Sequence, residues 1–128
     1  MKILIVEDNL INSRLMVMGL ELLPIQCDFS VAEDADTAID MTSRNLYDLV
    51  LMDINLGNGR LDGTDIVKML RKTDRYKDVS IFAVTCYSLP GDKEQFIAAG
   101  FDEYYAKPVN MDLLSESIMK LYDQKNPK

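Results

Sequence analysis

The sequence predicts an α/β fold, a parallel sheet covered by helices on both faces, and three observations carry that expectation. Short, nearly continuous apolar runs rich in Ile, Val and Leu recur along the chain, at Ile3-Leu4-Ile5-Val6, Leu49-Val50-Leu51-Met52 and Ile81-Phe82-Ala83-Val84. Strands buried on both faces read this way, whereas half-exposed strands alternate apolar with polar residues. Segments of helical spacing lie between the runs. A chain of 128 residues with 48% apolar content can build one core without disulfides or metal staples, so one domain is expected.

After the first strand, Leu10 to Leu23 carries apolar residues at Ile11, Leu15, Met18 and Leu22, and Pro24 stops it. A weaker strand covers Cys27-Asp28-Phe29-Ser30-Val31. The next helix, Asp34 to Ser43, has Ala35, Ala38, Ile39 and Met41. Beyond the Leu49–Met52 strand, Gly63 to Arg71 carries Ile66, Val67, Met69 and Leu70. The Ile81–Val84 strand leads to a helix over Asp92 to Ala99 that ends at Gly100, a C-cap. A second weak strand runs from Phe101 to Tyr105, and a last helix, Asp112 to Tyr122, carries Leu113, Leu114, Ile118 and Leu121. Residues 1–123 form the expected domain, and the polar residues 124–128 a frayed tail. Five strands alternating with five helices demand right-handed crossovers. In so short a chain they point to the flavodoxin-like, doubly wound order 2-1-3-4-5. The eight methionines read as core filler, although Met16 and Met18, with Leu15 and Leu20, leave room for an exposed apolar stripe on the first helix.

Charge narrows the chemistry. With 14 Lys+Arg against 21 Asp+Glu the net charge is −7, which argues against nucleic acid or an anionic membrane surface as ligand. There is no histidine, so the chain cannot run Ser-His-Asp or Cys-His catalysis, supply an imidazole metal ligand or carry phosphohistidine itself. Cys27 and Cys86 stand far apart without CxxC spacing and read as small packing residues in a reducing compartment. The start, MKILIVED, is too short in its apolar stretch for a signal peptide, and no run reaches membrane-spanning length. A cytoplasmic protein is expected.

In an open α/β sheet the ligand site lies at the carboxyl ends of the strands, near the point where strand order reverses. The first strand ends in Glu7-Asp8, the third in Asp53, the fourth in Thr85 and the fifth in Lys107-Pro108. Carboxylates brought together in a cleft repel one another unless a cation joins them or their pKa values rise. Mg²⁺ suits carboxylate, carbonyl and water ligands. A lysine among them pairs with a carboxylate in one state and a phosphoryl oxygen in another, and the Thr85 hydroxyl can donate to the same group. The set reads as a pocket for placing a phosphoryl group on Asp53 as an acyl phosphate.

These residues sit in LIVEDN (Leu4 to Asn9), LVLMDINL (Leu49 to Leu56), AVTCYS (Ala83 to Ser88) and YYAKPV (Tyr104 to Val109), and in this order and spacing the chain resembles, over essentially its whole length, the receiver domain of two-component response regulators. The resemblance implies that Asp53 is the phosphoacceptor, that Glu7, Asp8, Asp53 and the backbone carbonyl of Asn55 hold Mg²⁺, and that Thr85 and Lys107 contact the phosphoryl oxygens. It places Tyr104 at the family's aromatic switch position, paired with Thr85. It assigns Asn55, Cys86 and Tyr87 to positions that tune dephosphorylation. It implies that the phosphoryl group comes from a histidine kinase or histidine phosphotransfer protein, which brings the missing imidazole. It further implies that a downstream protein target is met through helix 4, strand 5 and helix 5, and that the domain catalyses only its own phosphotransfer and autodephosphorylation. No DNA-binding or catalytic output segment follows the last helix, which for a whole protein means a single-domain regulator acting by protein contact; the VEDN phrase also resembles receivers attached to hybrid kinases.

The loop after Asp53 departs from the family pattern: Gly63 lies ten residues on, no Pro intervenes, and Cys86 replaces the usual Ala after Thr85, which suggests a thiol-sensitive site. Each residue alone also has a plain reading, Glu-Asp as turn and helix cap, Lys-Pro as a turn, two adjacent tyrosines as packing on opposite faces. Their joint occurrence at four strand ends overturns those readings. Asp62-Gly63-Thr64 matches part of a phosphatase signature but caps a helix rather than following a first strand. Two competing functions are a receiver-like docking module that is not phosphorylated, and an Mg²⁺-dependent phosphohydrolase, for which the chain leaves no room for a substrate cap.

Overall fold

The computed structural model describes residues 1–56, 61–86 and 90–126. Its elements are β1 (Lys2–Val6), α1 (Leu10–Leu20), β2 (Asp28–Ala32), α2 (Ala35–Arg44), β3 (Leu49–Asp53), α3 (Gly63–Arg71), β4 (Ser80–Thr85), α4 (Asp92–Ala99), β5 (Glu103–Ala106) and α5 (Met111–Lys125). All strand pairs are parallel, in the expected order β2-β1-β3-β4-β5.

Strand pleating divides the core, because successive side chains leave a strand on opposite faces. Leu4, Val6, Val50, Met52, Ile81 and Ala83 join Ala38, Ile66, Val67 and Leu70 on the face that carries α2 and α3, where Phe96 and Ala99 of α4 also pack. Ile3, Ile5, Leu49, Leu51 and Phe82 join Leu20, Leu114 and Ile118 on the opposite face, beneath α1 and α5. The helix starts are capped as their sequences suggest. Asn9, Asp34 and Asn110 accept backbone N–H bonds at the starts of α1, α2 and α5, and Asp62 and Asp65 form a reciprocal box at α3.

Four expectations need correcting. The periodic positions Ile11, Leu15, Met18 and Leu22 do not face the core but are 69%, 60%, 63% and 86% exposed; Leu15 and Met18 thus form the exposed stripe the sequence left room for, while Met16 and Leu20 do not. α1 instead turns Ser13, Met16, Val17 and Leu20 inward, and the Ser13 hydroxyl donates to the Leu10 carbonyl at 3.0 Å. A helix that is apolar nearly all round has no phase that periodicity alone can read. α1 also stops at Leu20 and tightens through Leu22 N–H to Gly19 O and Leu23 N–H to Leu20 O, since Pro24 disfavours helical geometry at the residue before it. β5 begins at Glu103 because Gly100, with φ +126°, turns the chain so that the Phe101 ring enters the core. Finally, Gln124 and Lys125 belong to α5 rather than to a frayed tail, and Lys125 Nζ reaches Asp48 Oδ1 at 3.2 Å.

Candidate functional site

Glu7 and Asp8 follow β1 directly, and Asp53 is the last residue of β3, the neighbouring strand. The site therefore lies where β1 and β3 part to opposite crossovers, as an open sheet requires. Glu7 and Asp53 are buried, at 6% and 5% exposure, while Asp8 is exposed. One carboxylate oxygen from each of the three lies within 4.8 Å of the others. Lys107 arrives from the end of β5 and bridges the two buried acids, with Nζ 2.7 Å from Glu7 Oε1 and 3.1 Å from Asp53 Oδ2. Its bond to Pro108 is cis.

Local backbone fixes the two buried carboxylates. The Asn55 N–H donates to Asp53 Oδ1 at 3.2 Å, and the Asn9 N–H to Glu7 Oε2 at 3.4 Å. Asn55 is itself exposed, whereas Ile54 and Leu56 on either side are buried and anchor the loop. Burial raises the Asp8 pKa, aided by the hydrogen bond and charge of Glu7. Burial also pulls on Lys107 in the downward direction, but its hydrogen bond to Glu7 and the charge of Asp53 outweigh this and hold the ammonium above its ordinary value. Three acids and one lysine form an electrostatically unsatisfied cluster, and such a donor set fits a hard divalent cation.

Thr85, fully buried, ends β4; its carbonyl accepts the Lys107 N–H at 2.7 Å, so the two residues are locked in register at adjacent strand ends. Cys86 is exposed rather than packed, whereas Cys27 is half-buried against the α1–α5 face, where burial pushes its thiol pKa up. Tyr104 points to the α3–α4 side and stacks on Phe96, with ring centroids 5.4 Å apart, while Tyr105 faces α5. Tyr87 and residues 57–60 of the Asp53–Gly63 loop lie outside the described residues.

Two features escaped sequence reasoning. A cavity of about 500 Å³ adjoins the acids, between α1 and the β5–α5 turn; Leu15, Met16, Val109 and Met111 line it together with Glu7, Asp53 and Lys107. No local pattern marks it, because its walls are distant in sequence. The second is Gly63. A Cβ there would fall 2.5 Å from the Asp53 carbonyl oxygen and 3.0 Å from Ile54 Cα, so α3 abuts the acid-bearing strand only because this residue has no side chain. The Asp62 cap immediately before Gly63 was the available signal.

Comparison with known proteins agrees with the geometry. The family model for the response regulator receiver domain matches residues 3–119. The chain belongs to the response regulator receiver domain family. This receiver is 36% identical over 124 residues to hybrid signal transduction histidine kinase I of Dictyostelium discoideum, covering 91% of the present chain and 7% of that protein. It is 34% identical over 107 residues to stress response regulator protein 1 of Debaryomyces hansenii, covering 84% and 43%. The chain thus spans less than half the length of these curated relatives. Among solved structures, a signal receiver domain from Colwellia psychrerythraea superposes with TM-score 0.88 at 24% identity, covering 95% of this chain and 98% of that one. The receiver domain of sensor histidine kinase PA1611 from Pseudomonas aeruginosa gives TM-score 0.81 at 31% identity, covering 94% and 95%; that structure holds a magnesium ion in its active site cleft. No helix among the described residues of the present receiver is long and apolar enough to cross a membrane.

Proposed function

We propose that this receiver accepts a phosphoryl group on Asp53 from a partner phosphohistidine, with Mg²⁺ held by Glu7, Asp8, Asp53 and the Asn55 carbonyl, and that the product alters a protein-binding surface. The observation that carries the reading is the convergence of Glu7, Asp53 and Lys107 within hydrogen-bond distance at the ends of three strands. An Asp53 carboxylate oxygen attacks phosphorus; the P–N bond to the donor imidazole breaks as the acyl phosphate P–O bond forms, and the leaving nitrogen keeps the electron pair. Lys107 then has a phosphoryl oxygen to pair with in place of the carboxylate. Mg²⁺, when bound, neutralises charge on the phosphoryl oxygens. Thr85 contacts the phosphoryl group and couples it to Tyr104, and the face of α4, β5 and α5 meets the downstream target. Asn55, Cys86 and Tyr87 set the lifetime of the acyl phosphate, whose hydrolysis is this domain's own. The reading calls for a histidine kinase or histidine phosphotransfer protein as donor and for neither nucleic acid nor membrane as ligand, and a cytoplasmic setting is part of the same proposal.

The exposed ridge Ile11, Leu15, Met18, Leu22 fits the donor. It borders the cavity that opens beside Asp53, so a partner helix seated on it brings its imidazole to the acids. Incubation with a small phosphodonor and Mg²⁺ is expected to add one phosphoryl mass, and Asp53→Asn to abolish it; labelling that survives in that variant overturns the assignment. Leu15→Asp with Met18→Asp is expected to slow transfer from a phosphohistidine protein while leaving labelling by the small donor unchanged.

A further inference from the structure

Among the described residues, Val84 is buried, at 5% exposure, yet belongs to neither core. Its side chain leaves β4 on the same face as Phe82, two residues earlier, which is the face beneath α1 and α5. There it lines the cavity of about 500 Å³ with Ile5 and Leu51, which stand side by side on β1 and β3. Met16 of α1 and Met111 of α5 flank this apolar floor. A Cβ at Gly19 would fall 2.6 Å from Met111 Cε, so the Met111 methyl lies against the α1 backbone and joins the two helices beside the void. Protein interiors leave few gaps of this size, whereas small-molecule sites occupy about 300–1,000 Å³.

One end of the cavity is charged. Apart from Asn12, its polar lining residues are Glu7, Asp53 and Lys107. The Lys107 ammonium is already shared between the two carboxylates, and Asp8 brings a third carboxylate oxygen within 4.8 Å of theirs. Three acids against one ammonium leave an excess of negative charge beside an apolar chamber. We propose that the cavity binds a small organic monocation, an ammonium or amidinium group on an aromatic or aliphatic body. The head donates to carboxylate oxygens of Glu7 and Asp53, since each carboxylate offers about four acceptor positions. The body covers Val84, Leu51 and Met16. An anionic head would meet Lys107 but also the three acids, and a neutral head would leave the excess charge unanswered; both bind more weakly. The bound cation lies beside Asp53 and hinders an approaching phosphodonor, a consequence that rests on the function proposed above, whereas the site itself does not.

Phenylbutylamine serves as the probe, added to the full chain in chelator and followed by methyl resonances and calorimetry. Shifts are expected at Met16, Val84, Val109 and Met111, with Ala38 and Val67 on the opposite face of the sheet unmoved. The amine is expected to bind about tenfold tighter than phenylbutanol or phenylbutyrate, which share its body, and than butylamine, which shares its head. Val109→Phe, which fills part of the cavity, is expected to weaken the amine by about tenfold. Equal affinity for amine and alcohol, equal affinity for phenylbutylamine and butylamine, shifts spread over both faces, or a folded Val109→Phe that binds like wild type overturns the site. The methyl shifts and the series of heads and bodies decide the matter in the wild-type chain if that variant does not fold. Labelling of Asp53 by a small phosphodonor with Mg²⁺ is read in parallel, and saturating amine is expected to slow it. Amine binding without any labelling counts against phosphorylation at Asp53 and leaves the site standing, while labelling without amine binding removes the site alone.

Discussion

The Lys107 ammonium lies 3.1 Å from Asp53 Oδ2, so the carboxylate proposed to accept the phosphoryl group already has a counter-ion. The same nitrogen holds Glu7 at 2.7 Å. Lys107→Met leaves two mostly buried carboxylates facing each other. Loss of about 1–3 kcal/mol at neutral pH without metal is expected from urea unfolding, together with a large fall in the rate of Asp53 labelling.

Asp8 has the opposite effect on the metal-free fold. Its folded pKa is raised by burial and by Glu7, so its contribution to stability is full below the unfolded value of 3.8 and is lost as pH rises through the folded value. At neutral pH the charge is a liability. Asp8→Asn is expected to stabilise the protein in chelator by about 0.5 kcal/mol, the scale of an exposed charge, and to weaken Mg²⁺ binding in a calorimetric titration. A variant less stable than wild type in chelator contradicts the account.

Gly63→Ala places a methyl group 2.5 Å from the Asp53 carbonyl oxygen and 2.9 Å from Met52 Cγ. The first contact is backbone and cannot yield without moving β3. A loss of about 1–3 kcal/mol is expected, typical of overpacking, with slower phosphorylation because the displaced residue is the proposed acceptor. Thermal unfolding and labelling kinetics check both parts.

Tyr105 donates to Glu103 Oε2 at 2.6 Å and shares a hydrogen bond with Ser117 on α5. Burial, then the Glu103 carboxylate, pushes its pKa up to about 12 from 10.0. The phenol is neutral in the fold, so its stabilisation is complete below pH 10 and disappears as pH rises towards 12. Tyr105→Phe is expected to cost about 1 kcal/mol at pH 7 and to flatten the loss of stability across that alkaline window. Ultraviolet titration should show one fewer late-ionising phenol.

The strand order, the four crossovers and the strand-end acids were legible in the sequence because each depends on local pattern plus a general rule of α/β topology. Gly63 to Arg71 and Asp92 to Ala99 were bounded correctly, since Asp62 caps one and Gly100 ends the other. The phase of α1 was not legible: with Arg14 its single charged residue, buried and exposed stripes look alike until the sheet decides between them. Nor were the contacts of Arg71 at the end of α3: beside the Asp102 carboxylate, its guanidinium donates to backbone carbonyls at residues 76, 79 and 100, which leave no mark in side-chain identity.

Strand pleating has a consequence for how this domain can change. The sheet works as a partition: the ridge on α1 rests on the core shared with α5, whereas Phe96 and Tyr104 belong to the core on the other side. Substitutions on the ridge proposed to meet the histidine donor therefore share no core with Phe96 and Tyr104, although they share one with α5. Their stability costs should simply add to those of changes around α4. The ridge can thus be retuned without repacking the α4 side of the proposed target face, whereas its α5 side shares a core with α1 and changes with it.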